Sequence, residues 1–383
     1  MTVDHQETEA LLKMIRDFAQ DRVAPRVAAY DAAEQIPRDL LDEMADLGLF
    51  GGAVSPEFGG LGLDYVTYAQ IIEEMSKVCH IMGVLMSMPT SLVGAGLAEF
   101  GSDEQRHTYL KPLAEGRMFG AAGVTEPRSG SDVAGMQTRY RKDGDSFVIS
   151  GAKAWISNLD IADFYVTFAT IDRSLGHAGI SAFLIPRGTP GVTVSPYKNK
   201  LGFRPLCTGD LVLDEVRVGP EGLIGEEGQG FRVAMTAVER GRLSVAARAV
   251  GLAQAATTDA IAYAQNREAF GSTIDHFQIV QSKITDMTVG VRTAHLLVLD
   301  AARELDLGHR ARQSTSMAKM YASDIAQRTA TDAMQIHGAA GVSPEYRIGR
   351  LYRDAKVFQI VEGSNDVHRA IIAEMELGLR KKS

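Results

Sequence analysis

The sequence predicts an α+β protein that is helical at both ends and has a sheet domain between them. Two changes of period carry this. In residues 1–117 apolar side chains recur at helical spacing, as in Leu11, Leu12, Ile15 and Phe18, and then Leu40, Leu41, Met44 and Leu47. In residues 118–226 the pattern shortens to runs of β-branched and aromatic residues, and in 227–383 helical spacing returns in segments longer than the usual ~8–20 residues.

The N-terminal helices are punctuated by Ile36-Pro37, Gly48, Ser55-Pro56 and Gly59-Gly60, and Ser102 with Gln105 reads as a capping box. In the middle domain Asp143-Gly144 is a hairpin signal between two strand-like runs, and Phe164–Phe168 and Ile180–Ile185 read as further strands. Leu211–Leu213 and Val216–Val218 are expected to rejoin the same sheet. After Gly228-Gln229-Gly230, breaks at Gly271-Ser272, Leu307-Gly308 and Gly338 to Pro344 divide the remainder into about four long helices, the makings of a four-helix bundle.

With 383 residues, of which 45% are hydrophobic, the chain can bury large cores. Its net charge of -8 argues against general attraction to nucleic acid or an anionic membrane. Cys79 and Cys207 form no Cys-x-x-Cys or His-Cys cluster, so neither a disulfide framework nor a metal site is expected, and a reducing cytoplasm fits. The start, Met1 to Glu7, is polar and acidic, unlike a signal peptide, and no apolar run approaches the ~20 residues of a membrane span.

Glycine-rich stretches at Gly94–Gly96 and Gly225–Gly230 do not complete a dinucleotide fingerprint, and there is no P-loop, His-Glu-x-x-His helix or Gly-x-Ser-x-Gly elbow. Instead, Glu362 follows the apolar run Val357–Val361 and precedes Gly363 and a potential helix-capping serine, Ser364. Burial would raise the pKa of such a carboxylate and make it a candidate base, although a glutamate before Gly-Ser also fits a solvated residue at a helix start. The polar loop Val124–Asp132 offers consecutive backbone amides and three hydroxyls, suited to phosphate or flavin-edge oxygens or to a plain strand exit. Trp155, the only tryptophan, suits either a core or a cofactor wall. Arg240 and Arg242 read as opening a helix, solvated or paired with Glu239.

Together these segments resemble the acyl-CoA dehydrogenase family over essentially the full length. The matching stretches are Pro56–Gly60, Phe100–Arg106, Val124–Pro127 with Gly130–Asp132, Trp155–Asn158, Arg267–Gly271, Gln335–Gly338, Tyr352–Lys356 and Glu362–Ser364, all in order. The resemblance implies a barrel-like middle domain and an FAD-dependent oxidoreductase that converts an acyl-CoA thioester to the trans-2-enoyl-CoA. Glu362 would abstract the α-proton and flavin N5 would take the β-hydride. The thioester carbonyl would be gripped by a flavin ribityl hydroxyl and by the Glu362 N–H.

By the same resemblance Val124, Thr125 and Ser131 would contact the flavin ring and phosphates, with Trp155 and Ser157 closing over the ring. Arg267, Phe270, Gln278, Gln335, Gly338 and Ala339 would hold the adenine half from a neighbouring subunit, which implies a homo-oligomer, usually a tetramer. Ser364 and Asp366 would complete the cofactor set. Ser131, Glu239, Arg242 and Gly363 would meet the substrate. Some members carry the base one residue before the arginine matched by Arg242, but that residue here is Gly241, which cannot act as one.

Val361, where many members have tyrosine, is expected to reshape the acyl pocket, and Gly96, in place of a common proline, to affect substrate choice. His337–Gly341 varies the family's usual pattern and touches the FAD segment. Electron-transfer flavoprotein is the implied acceptor. Alternatives are the same chemistry on a carrier-protein-bound thioester, or an oxidase or oxygenase on this fold. A non-enzymatic relative is disfavoured by the retained Glu362 and the negative charge. Met82, Leu85, Met86 and Met88 suit either a compliant apolar wall or, as methionine-rich helices more often do, the core; a short or branched acyl chain is the expected substrate.

Overall fold

The computed structural model describes residues 5–379; the Met1 to Asp4 part of the expected polar start lies outside the described residues. The N-terminal part is built from α1 (His5–Phe18), α2 (Val27–Ala33), α3 (Arg38–Asp46), α4 (Tyr65–Met86), α5 (Gly94–Phe100) and the short α6 (Asp103–Gln105) and α7 (Lys111–Ala114). The capping box forms as the sequence indicates: the Gln105 N–H donates to Ser102 Oγ while the Gln105 side chain accepts from the Ser102 N–H. No single helix among the described residues is long and apolar enough to cross a membrane.

The middle part is one mixed sheet of eight strands: β1 (Gly120–Gly123), β2 (Arg139–Asp143), β3 (Ser146–Ser157), β4 (Phe164–Thr170), β5 (Ile180–Pro186), β6 (Val192–Pro196), β7 (Thr208–Val218) and β8 (Leu223–Ile224). Their order is β6-β7-β3-β2-β4-β5-β8, with β1 beside β4 in parallel. Gly144, in the left-handed region at φ 61°, makes the β2–β3 turn that Asp143-Gly144 announces. The two runs Leu211–Leu213 and Val216–Val218 are one strand, β7.

Every residue of β4 is buried, because both faces of this strand are covered. Phe164, Val166 and Phe168 point into the large core shared with the helices, whereas Tyr165 and Ala169 point into a second core on the other face with Phe183, Ile185 and Leu213. The strand's two-residue period thus joins the sheet to the helical body.

The C-terminal part comprises α8 (Gly230–Asn266), a two-stranded hairpin of β9 (Glu268–Ala269) and β10 (Ser272–Thr273), α9 (Gln278–Asp306), α10 (Arg312–His337), the single turn α11 (Ala339–Val342), α12 (Ile348–Phe358) and α13 (Asn365–Glu376). Three helices are long, at 37, 29 and 26 residues, where the sequence suggested about four. The fourth position is shared by α12 and α13, which both pack on α10, and α4 lies along α8. The two helices α12 and α13 are separated by a turn over residues 359–363, and Ser364 starts α13 as its N-cap.

Arg240 and Arg242 lie well inside α8 rather than at its start, Arg240 pairing with Glu99. The stretch around Phe270 is a β-turn hairpin rather than a plain helix break. The methionine-rich face of α4 is core, with Met82, Leu85 and Met86 fully buried. At Gly96 a side chain would sit 2.8 Å from Val233 of α8, so this glycine serves the packing of α5 on α8.

Candidate active site

Glu362 lies in the turn between α12 and α13 with φ 56°, a conformation that a non-glycine residue rarely holds without reason. The turn is fixed from several sides. Ser364 Oγ accepts the Val367 N–H and caps α13, as its position indicated. Lys319 Nζ, from α10, donates to the Gly363 carbonyl at 2.7 Å and to Asn365 Oδ1 at 2.8 Å. His368 Nε2 lies 3.2 Å from the Glu362 carbonyl oxygen. Burial, with help from Arg242 and Lys319, pushes His368 down to about 3, so the ring is neutral and Nε2–H is the donor.

As a residue Glu362 is only partly buried, but its carboxylate is enclosed against α8. A Cβ built on Gly241 would come 3.0 Å from Glu362 Cδ, so this glycine leaves room for the Glu362 carboxylate. Burial pushes the Glu362 pKa up to about 7, against the opposing pull of Arg248, Arg242 and Lys319 in that order. Lys319 is itself pushed down to about 7 by burial, partly offset by Glu362. Arg242 and Arg248 fall to about 10 for the same reason and stay charged at neutral pH. Arg242 Nη1 donates to Ser316 Oγ at 3.3 Å. Among the described residues, the Glu362 N–H makes no backbone hydrogen bond and is free to meet a ligand.

Glu239, expected at the substrate, accepts the Ala311 N–H on its Oε1 at 2.8 Å and so also anchors the start of α10. Burial raises its pKa.

A second cluster lies at the sheet. The Ala154 N–H donates to the Thr125 carbonyl, which ties the exit of β1 to β3 beside Trp155. The β3–β7 register slips between Lys153 and Ile156, and Trp155 takes φ 61° there. This irregularity turns the indole outward, leaving it 63% exposed beside Tyr197. An exposed tryptophan on a strained strand is an expensive arrangement unless a flat partner covers it. Next to it, Ser157 is half-buried and Asn158 is buried, its Nδ2 donating to Met88 Sδ while its Oδ1 has no partner among the described residues. Val124 and Thr125 are half-buried and Ser131 is exposed on the following loop. A planar ring with polar edge atoms fits this set.

The remaining expected cofactor residues stand apart. Arg267 at the end of α8, Phe270 on the hairpin, Gln278 at the start of α9, and Gln335, Gly338 and Ala339 at the end of α10 are all exposed. Phe270 is 99% exposed, again with a left-handed backbone at φ 52°. None of them shares a hydrogen bond or ring contact with the Trp155 cluster or Glu362. Asp366 is exposed in the first turn of α13. Sequence reasoning did not single out Lys319, His368 or Arg248. For Arg248 a signal existed: it lies seven residues after Gly241, hence two turns along the same face of one helix.

Three family models cover the chain: acyl-CoA dehydrogenase N-terminal domain over residues 5–117, middle domain over 121–216 and C-terminal domain over 228–377. The chain belongs to the acyl-CoA dehydrogenase family. It is therefore an oxidoreductase of a flavoprotein family that uses FAD, and the exposed Trp155 and orphaned Asn158 oxygen fit that cofactor. The short-chain specific acyl-CoA dehydrogenase of Clostridium acetobutylicum is 38% identical, over 96% of this chain and 97% of the relative. The butyryl-CoA dehydrogenase of Megasphaera elsdenii superposes with a TM-score of 0.94 at 36% identity, covering 98% of this chain and 99% of that one. A glutaryl-CoA dehydrogenase in complex with glutaryl-CoA superposes with a TM-score of 0.95 at 34% identity, covering 100% and 98%. Among the described residues no group of three or more His, Cys, Asp or Glu side chains could hold a metal ion.

Proposed function

We propose that this protein dehydrogenates a short acyl-CoA thioester between Cα and Cβ, with Glu362 as the base. The observation that carries the reading is the enclosed Glu362 carboxylate, raised to about 7 and pressed on Gly241 in a turn fixed by Lys319, Ser364 and His368. A base near neutrality combines adequate proton affinity with adequate ionisation at working pH. Glu362 removes the α-proton, and the enolate charge that develops on the thioester oxygen is met by the unpaired N–H of the same residue. Arg242, Arg248 and Lys319 keep the surroundings positive as that charge forms. Bound FAD supplies the acceptor for the β-hydride. Trp155, Ser157, Val124 and Thr125 would hold the ring, and Ser131 its phosphates.

The reading extends to a homotetramer in the cytoplasm, with electron-transfer flavoprotein as acceptor. Support for assembly comes from the exposed Phe270 and from Ile279, Val289 and Leu296 on α9, an apolar surface that a second copy would cover. In that assembly Arg267, Phe270, Gln278 and the Gln335–Ala339 segment would reach the partner's adenine half, Arg267 through a charge-assisted contact to the pyrophosphate.

The experiment is anaerobic titration of the holoenzyme with a panel of acyl-CoAs that includes butyryl-, isobutyryl- and glutaryl-CoA, watching the yellow absorbance. At least one short thioester is expected to bleach it stoichiometrically. Failure of every thioester in the panel would overturn the reading.

A further inference from the structure

Three buried cations surround Glu362, and among the described residues Arg242 keeps one hydrogen bond with its Nε unpaired, whereas Arg248 has none. Lys319 is held by the Gly363 carbonyl and Asn365, and Arg242 by Ser316. Arg248 is 5% exposed, and neither its Nε nor its Nη1 has a partner among the described residues. Its guanidinium lies 5.6 Å from the Phe358 ring and 6.0 Å from the Phe203 ring, at the outer limit of cation–π contact, which leaves the in-plane N–H donors unused.

The site is built to admit this side chain. A Cβ on Gly83 of α4 would sit 3.0 Å from Arg248 Cγ and 3.1 Å from its Cδ, just as one on Gly241 would crowd Glu362. Two glycines thus clear space for one base and one cation on the same face of α8. The seven residues from Gly241 to Arg248 span about 10.5 Å, and helix side chains lean toward the N-terminus, so the guanidinium leans back toward Glu362. Glu362 supplies part of the balancing charge, but no hydrogen bond joins the two. A charged fork with free donors, buried beside the base, matches a carboxylate on the far end of the acyl chain.

We propose that Arg248 recognises a terminal carboxylate, so that the substrate is the monothioester of a short dicarboxylic acid, about four to six carbons by that helical spacing. This rests on the acyl-thioester dehydrogenation proposed above and names its substrate class. The reaction balances as before: the α-proton passes to Glu362, the β-hydrogen leaves as hydride to the bound flavin, the 2,3 double bond forms, and the far carboxylate is unchanged.

The test compares glutaryl-CoA with its neutral ω-methyl ester and with butyryl-CoA, on the parent holoenzyme and on the Arg248→Gln and Arg248→Lys variants. In the parent, kcat/KM for the acid should exceed that for the ester by about 10²-fold or more, since a site built for a hydrogen-bonding group rejects an analogue lacking it. Calorimetric affinities should show the same order. Arg248→Gln should collapse the ratio toward one, mainly by loss of activity on the acid, and Arg248→Lys should retain part of it. The proposal is overturned if the parent prefers butyryl-CoA and the ester to the acid, or if Arg248→Gln slows acid and ester equally, which is what a residue that only sets the charge on Glu362 would do. The acid-to-ester ratio in the parent decides the matter even if the variants do not fold. If no thioester bleaches the flavin, the underlying dehydrogenase reading fails and this proposal with it.

Discussion

Replacing Glu362 with glutamine is expected to lower turnover by about 10²- to 10⁴-fold while leaving a folded, yellow protein. Glutamine is nearly isosteric and can occupy the pocket against Gly241, but it cannot accept the α-proton. The elements that fix the turn act on the backbone: Lys319 on the Gly363 carbonyl, His368 on the Glu362 carbonyl and Ser364 on the Val367 N–H. Of these only the protonation of Lys319 responds to the charge of residue 362, and a neutral amine still donates to the Gly363 carbonyl. The same variant has a stability signature. A carboxylate raised from 4.5 to about 7 in the folded state contributes stability that is fully present below the unfolded value and is lost as pH rises through about 7. Glu362→Gln should therefore melt higher than the parent at pH 8, with the gain fading toward pH 4.5. A variant that stayed within twofold of parental turnover would remove Glu362 from the mechanism, and one that melted lower at pH 8 would contradict its desolvation.

The second large effect lies beneath the exposed Trp155 on β3. Lys153 on β3 is completely buried and donates to Glu126 Oε1 at 2.8 Å, and Gly123 leaves room for its stem. Glu126 also accepts the backbone N–H groups of Gln137 and Thr138, so it ties the Val124–Asp132 loop to the start of β2. Lys153 and these amides hold Glu126 below its ordinary pKa despite burial, whereas burial brings Lys153 down to about 8; the pair is ionised at neutral pH. Removing one member of a buried pair strands the other, at a cost of about 3–5 kcal/mol. Lys153→Met is expected to lose that much in urea unfolding and to retain less FAD. The double variant Lys153→Met with Glu126→Gln should recover part of the loss, since it leaves no stranded charge. A Lys153→Met protein within ~0.5 kcal/mol of the parent would show that the pair does not support the loop.

Much of this architecture is local and therefore legible in the sequence. The Asp143-Gly144 turn, the Ser102–Gln105 box and the Ser364 cap are each decided by a few adjacent residues, and all three form. The fully buried β4 was readable as a run of β-branched and aromatic residues. Glu362 was legible as a candidate base for the same reason, as a carboxylate after an apolar run and before a cap.

Long-range features were not. In an alanine-rich helix Arg248 looks like any solvated arginine; what buries it is Gly83 on α4 together with Phe203 and Phe358, all of them distant from it in the sequence. Lys319 and His368 acquire meaning only when α10 and α13 meet at the Glu362 turn. Arg240 and Arg242 read as the opening of a helix, whereas in the fold they lie well inside α8, and Gly241 between them leaves room for the Glu362 carboxylate. The β9–β10 hairpin is two residues per strand, too short for any periodic signal.

If an enclosed Glu362, with its pKa near 7, takes the α-proton, this governs the second-order rate constant for anaerobic flavin bleaching by a reactive short acyl-CoA, measured from pH 5 to 9 on the parent and on Glu362→Gln. At low substrate this constant reports the free enzyme. The base acts when deprotonated, so the parent should rise about tenfold per pH unit below the inflection and level off above about 7, and the variant should be slow with no such inflection. A parental rate that is flat across this range, or a variant that reproduces the parent's profile and speed, would contradict the account.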